Sequence, residues 1–220
     1  MALCALVCSC GGDERPGRLG SDLGVIVTNG GFTGVPIEPP PEGYPEGPYG
    51  SEVGDTIEDF AFQGWRNPAA AGFDSDAYET LRFSDYFDPD GERGVRLLLL
   101  NTAAGWCSNC QIEHEGLASQ LATYGPRGLV IFSMMYHGFE LYEGASPQDA
   151  ETWASDFNVE FPFVIDPTHR MGRYGAAEAA PLNLIVDPRD MTLIEKLVGN
   201  QEAVMWARIR DELEQRTTEP

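Results

Sequence analysis

The stretch Val95-Arg96-Leu97-Leu98-Leu99-Leu100-Asn101-Thr102-Ala103-Ala104-Gly105-Trp106-Cys107-Ser108-Asn109-Cys110 decides how this 220-residue chain is read. Its first half, Val95 to Asn101, is a nearly continuous apolar run of strand length, the pattern of a central strand covered on both faces. After Trp106 the period changes to that of a helix, with Leu117, Leu121 and Tyr124 on one face and Gly125-Pro126 as the stop. Cys107 therefore lies where a buried strand hands over to an amphipathic helix. Unpaired backbone N–H groups and the positive end of the helix dipole favour a thiolate there, which makes Cys107 the expected nucleophile. Cys110, one turn on and on the same face, is spaced to attack a mixed disulfide and free the partner.

Downstream, Leu129 to Met135 reads as a second buried strand. Ser146-Pro147 opens a helix with Ala150, Trp153, Ala154 and Phe157 as its apolar stripe, and Phe163 to Ile165 is a short strand. Leu182 to Val186 and Thr192 to Val198 form a hairpin across Asp187-Pro188-Arg189-Asp190, expected to supply antiparallel edge strands. A last helix runs from Gln201, capped by Asn200, with Met205, Ile209 and Leu213 at four-residue spacing. Upstream, Glu58 to Trp65 alternates weakly, as an edge strand does, and Leu81 to Phe87 is an apolar-aromatic segment ahead of the Asp88-Pro89-Asp90-Gly91 turn. This order implies one α/β domain over residues 54–216: a three-layer sandwich, with a mixed central sheet flanked by helices on both faces.

Residues 11–53 are rich in Gly, Pro and acid, culminating in Pro39-Pro40-Pro41-Glu42-Gly43-Tyr44-Pro45. Such density of proline denies the backbone donors that a helix or central strand requires, so the segment is expected to be an extended tether or a strap on the domain. Its only strand-like patch is Val25-Ile26-Val27. Tyr44, Tyr49, Phe60, Phe62 and Trp65 read as packing of this strap onto the sheet. Residues 1–10 contain Cys4, Cys8 and Cys10 in a short apolar stretch. They resemble the tail of a bacterial lipoprotein signal, in which the cysteine after a small residue, here Cys10 after Ser9, is acylated and becomes the N-terminus. The resemblance implies a periplasmic or cell-envelope location with membrane contact through that lipid alone. The stretch departs from a full signal in having no basic n-region and too few residues for an h-region of about 7–15 with its flanks.

The chain carries 35 Asp and Glu against 14 Lys and Arg, a net charge of -21, and Lys196 is its single lysine. That balance repels phosphates and anionic lipid, so a nucleic-acid partner has no electrostatic support. With 42% apolar residues the chain can bury a core, yet no run approaches the ~18 apolar residues that span a bilayer. A Cys-x-x-Cys pair alone also matches half a zinc site, but no later cysteine exists, and His114, His137 and His169 are scattered. No metal or other cofactor is expected. A purely structural disulfide is the remaining reading, although so short a loop adds little constraint. His114, between Glu113 and Glu115, reads as a surface residue of the first helix, and His137 and His169 as loop or surface histidines.

Leu97 to Asn101 leading into Trp106-Cys107-Ser108-Asn109-Cys110, with Ala180-Pro181 opening a later strand, resembles the thioredoxin-like superfamily over residues 54–214. It is most similar to the extracytoplasmic redoxins related to alkyl hydroperoxide reductase/thiol-specific antioxidant proteins and to the membrane-anchored reductases of cytochrome maturation. The resemblance implies thiol–disulfide exchange with protein thiols or disulfides, with a membrane-anchored redox partner as an option. By the same resemblance Pro181 is the cis-proline facing the cysteines, and the backbone of Ala180 is where a substrate strand pairs. Trp106 is implied to be packing and a lid beside the sulfur, and Glu113 the acid that tunes the pair and accepts a proton. A carboxylate so placed serves as a base if burial raises its pKa; the alternative is a solvated helix-surface glutamate. Ser108-Asn109 replaces the Gly-Pro of thioredoxins, which leaves the direction of electron flow open, and Glu115 stands where many relatives have a helix-kinking proline. Thr102 is five residues before Cys107 and the Pro-x-x-x-Thr-x-x-Cys peroxidatic loop is absent, which disfavours a thiol-dependent peroxidase. A copper-handling module of this fold is a further alternative, although such relatives place three residues between the cysteines.

Overall fold

A computed structural model describes residues 39–218. The Val25-Ile26-Val27 patch and Cys4, Cys8 and Cys10 lie outside the described residues. The strands are β1 Ala61–Trp65, β2 Glu79–Arg82, β3 Leu97–Ala104, β4 Leu129–His137, β5 Phe163–Ile165, β6 Leu182–Asp187 and β7 Thr192–Val198. The helices are α1 Ser108–Tyr124, α2 Pro147–Asp156 and α3 Glu202–Thr218. All seven strands join one sheet in the order β2-β1-β5-β4-β3-β6-β7. Strands β3, β4 and β5 run parallel, and every other neighbouring pair is antiparallel.

The leucine run behaves as its composition demands. Leu97 and Leu99 enter the core on one face of the sheet, Leu98 and Leu100 the core on the other, and all four are fully buried. On the first face lie all three helices, through Leu117 of α1, Trp153 of α2 and Met205, Ile209 and Leu213 of α3. Tyr124 of α1 stacks on Trp206 of α3 at 6.0 Å between ring centroids, and His114 of α1 meets Trp153 of α2 at 5.1 Å. The opposite face is covered by Tyr44, Ile57, and 3-10 turns at Phe83–Tyr86 and Arg170–Arg173, which supply Phe83 and Met171. Burying a side chain of the Leu or Phe class contributes ~1.5–3 kcal/mol, so short turns suffice where each delivers one or two.

The three layers stand, but the second outer layer is strap and turn in place of α-helix. The chain steps from β3 to β4 to β5 in one direction across the sheet, and right-handed crossovers then put α1 and α2 on the same side. Two edge assignments are also corrected. Strand β1 is internal, because residues 79–82 pair along its outer side while β5 takes the inner. Strand β6 is internal as well, held between β3 and β7, so β7 alone of the hairpin is an edge. The aromatic residues of the strap pack as expected: Tyr44 is buried, its hydroxyl donates to the Ile57 carbonyl at 3.0 Å, and Tyr49 packs against the same core. Among the described residues no helix is long and apolar enough to cross a membrane.

Candidate active site

Strand β3 ends at Ala104, and Gly105 and Trp106 carry the chain to Cys107, the N-cap of α1. The turn is possible because position 105 is glycine: a Cβ there would lie 2.7 Å from the Gly138 carbonyl carbon on the segment following β4. Cys107 has extended backbone angles (φ -89°, ψ 104°), and its carbonyl accepts the first helical bond from Gln111 N at 3.1 Å. Its Sγ accepts the Cys110 N–H at 3.1 Å, the position a capping oxygen usually fills. The two sulfurs are joined as a disulfide. Cys110 is fully buried, whereas Cys107 keeps 5% exposure, so solvent reaches the pair from the Cys107 side.

Beneath α1 the sheet carries a polar row. Asn101 of β3 is opposite Ser133 of β4 and Asn183 of β6, and all three are buried. Asn101 Nδ2 donates to Glu113 Oε1 at 2.6 Å and to Asn183 Oδ1 at 2.9 Å, while Asn183 Nδ2 reaches both Glu113 oxygens at 3.0 Å. Glu113 is only 1% exposed, which overturns the solvated-surface alternative. Burial pushes its carboxyl up to about 7; Asn183 and Asn101 oppose the rise, and Glu202 of α3 adds to it. His114 is likewise 1% exposed, which corrects its reading as a surface residue. Its Nδ1 is 3.1 Å from the Cys110 carbonyl and its Nε2 3.1 Å from Ser133 Oγ. Helix α2 packs beside α1 and closes over His114 through Trp153 and Phe157, while Glu113 turns down onto the amides of β3 and β6.

The Ala180–Pro181 peptide is cis. The paired register of β3 and β6 ends at Asn101 opposite Asn183; two residues further, Pro181 comes to the end of β3 that leads into Trp106. Leu182 N–H donates to Thr102 Oγ1 at 3.1 Å, which ties the start of β6 to that end. Ala180 packs against the same core as Cys107. Trp106 donates its indole N–H to His137 Nδ1 at 3.3 Å, with the Tyr142 ring at 6.1 Å.

No protein-family profile matches the sequence, and no curated protein matches it. Solved structures do. A protein from Chlorobium tepidum, provisionally named thiol:disulfide interchange protein DsbE, is 19% identical with a TM-score of 0.55 over 74% of this chain and 98% of its own. A hypothetical protein from Sinorhizobium meliloti is 17% identical with a TM-score of 0.57, over 74% of this chain and 85% of its own. A thiol:disulfide interchange protein of the thioredoxin family from Chlorobium tepidum is 14% identical at a TM-score of 0.50, over 70% and 93%. The fold is thioredoxin-like.

In this thioredoxin-like frame the structure gathers Trp106, Cys107, Cys110 and Glu113 on and just before the first two turns of α1, and sets Ala180-Pro181 at the same end of the sheet. The histidines do not converge on the sulfurs as a ligand set. His137 closes β4 and meets Trp106, and half-buried His169 stacks on Tyr136 at 4.4 Å. Burial lowers the pKa of both. No group of three His, Cys, Asp or Glu able to hold a metal exists among the described residues. Sequence reading missed Ser133, Asn183 and the inward role of Asn101. Their signal was present: Ser133 and Asn183 are lone polar residues inside apolar strand runs and Asn101, with Thr102, interrupts another, which costs desolvation unless the groups are hydrogen-bonded.

Proposed function

We propose that the protein is a thiol–disulfide oxidoreductase acting on protein thiols or disulfides. One observation carries the reading: a disulfide whose more exposed sulfur caps a helix N-terminus while its partner is sealed beneath. In the reduced protein the Cys107 sulfur attacks a partner disulfide. One partner sulfur bonds to Cys107, and the other leaves with the electron pair of the broken bond. Cys110 then gives its proton to Glu113, and its sulfur bonds to Cys107. The Cys107–partner bond breaks, and the second partner sulfur departs as a thiolate, so the partner is reduced by two electrons and the Cys107–Cys110 pair oxidised. Run backward, the same steps oxidise a dithiol.

Trp106 shields the sulfur, and a substrate strand pairs with the backbone at Ala180 beside Pro181. Support for a base at Glu113 comes from its burial one helical turn beyond Cys110. A peroxidase reading gains nothing from Thr102, whose hydroxyl is engaged by the Leu182 N–H. The same reading locates the protein in the periplasm or cell envelope, tethered by a lipid on Cys10 with residues 11–53 as tether and strap, within reach of a membrane-anchored redox partner; its support is the likeness of residues 1–10 to a lipoprotein signal. The test is Cys110→Ala, which should accumulate partner proteins disulfide-linked to Cys107, visible on non-reducing gels and lost in Cys107→Ala/Cys110→Ala. An empty trap together with a wild type inert toward disulfide substrates would sink the reading.

A further inference from the structure

The polar row under α1 forms a chain of hydrogen bonds whose direction can be counted. From one end it runs Cys110 carbonyl, His114 Nδ1, His114 Nε2, Ser133 Oγ, Asn101 Oδ1, then from Asn101 Nδ2 to Asn183 Oδ1 and Glu113, with Asn183 Nδ2 closing on Glu113. A carbonyl only accepts, an ionised carboxylate only accepts, and a serine has one proton to give. When Glu113 is ionised, both amides must aim N–H groups at it. Asn101 Oδ1 then needs a donor, and Ser133 at 2.7 Å supplies it. With its proton spent, Ser133 Oγ faces His114 Nε2 as an acceptor, so Nε2 carries a proton. Nδ1 faces the Cys110 carbonyl and carries one too.

Other placements fail somewhere. A neutral imidazole protonated on Nε2 sets the bare Nδ1 against the Cys110 carbonyl. A neutral imidazole protonated on Nδ1 takes the serine proton, and Asn101 must turn its amide toward Ser133 and its oxygen toward Glu113. If Glu113 donates to that oxygen, a lone pair still meets a lone pair at Asn183, whichever way Asn183 is turned. Among these arrangements, only an imidazolium with a carboxylate satisfies every link.

We propose that His114 is the positioning residue of Glu113: with N–H on both ring nitrogens it sets the direction of the Ser133–Asn101–Asn183 chain, so that amide N–H groups converge on Glu113 and hold it as a carboxylate ready for the Cys110 proton. The origin of that proton rests on the exchange reading above; the proton count rests on the geometry alone. Burial works against both charges, lowering the pKa of His114 and raising that of Glu113. Against burial stand the Cys110 carbonyl, which favours a proton on Nδ1, and the surroundings of the ring. His114 faces Trp153 and Phe157 of α2, Phe161, and Phe163 of β5, at 5.1 to 6.3 Å, and aromatic π-systems attract a buried cation. Glu113 faces the two amides and, from α3, Glu202, which raises its proton affinity.

Nitrogen-15 NMR of the histidine ring in the folded, oxidised protein tests the count without any assay of activity. At pH 7 both His114 nitrogens should bear protons, and Glu113→Gln should return the ring to its neutral form. A singly protonated His114 at pH 7 in the wild type overturns the proposal. The functional half is read from the pH profile of partner release. His114→Phe, which fits the aromatic surroundings, should move the acid limb up by at least one unit, a loss of about tenfold at pH values well below the limb, and should add nothing in a Glu113→Gln background. An unmoved limb in folded His114→Phe overturns the positioning role. A doubly protonated His114 in a protein that exchanges no disulfides would leave the count standing and fell the proposed function.

Discussion

The two faces of the sheet solve the same burial problem with different chemistry. At the centre of the face opposite the helices Phe62, Phe83 and Phe132 pack within 6.3 Å of one another, with the Arg170 guanidinium laid over the Phe62 ring at 5.1 Å. The helix face has a comparable apolar rim, yet at its centre it buries Asn101, Ser133 and Asn183 under Glu113 and His114. A buried polar group adds little net stability even when every bond is made, and it is expensive when one is missing. The first face therefore carries stability, and the second accepts a weaker core to place a titratable group one turn from the cysteine pair.

Substitutions on each face should separate the two roles. Phe132→Ala is expected to cost about 3–5 kcal/mol in chemical denaturation while leaving the pH profile of exchange unmoved in the molecules that remain folded. A shifted profile would show that the faces are coupled. Asp166 tests the turn layer of the same face. Its carboxyl accepts the N–H groups of Arg170 and Met171, and burial raises its pKa from 3.8 to about 6. A carboxyl that holds its proton more tightly folded than unfolded stabilises fully below pH ~4, and that contribution is lost as pH rises through about 6. The loss is on the order of 3 kcal/mol. Denaturation midpoints of wild type and Asp166→Asn between pH 4 and 7 should diverge by that slope, and parallel curves would remove Asp166 from the account. On the helix face, Asn183→Leu leaves Asn101 and Glu113 each short of a partner and is expected to cost about 1–3 kcal/mol. Its effect also falls on chemistry: with one amide fewer, Glu113 holds its proton to higher pH, and the acid limb of partner release moves up by about one unit.

The same contrast explains what was legible in the sequence. The run Leu97 to Leu100 announced a strand buried on both faces, and the switch of period after Trp106 placed Cys107 at a helix start; both are local patterns, and both are found. Which face each helix takes depends on strand order, which no local period encodes, and so the helices expected on both faces lie on one. His114 looked like a surface residue because it sits between two glutamates on a helix of mixed polarity. It is buried because α2 closes over that side of α1, a contact between segments some forty residues apart in sequence. The polar row was visible only as single interruptions of three apolar strands. It becomes a site because register sets Ser133, Asn101 and Asn183 side by side.

Exchange at this site depends most on the Cys107 sulfur being ionised when reduced. Alkylation of the reduced, folded protein by iodoacetamide across pH, with the modified cysteine identified by mass, reads this directly. Cys107 should react first and with a midpoint well below the ~8.5 of a free thiol, with Cys110 protected until the protein unfolds. Equal, slow labelling of both cysteines with a midpoint at or above that of a free thiol would contradict it.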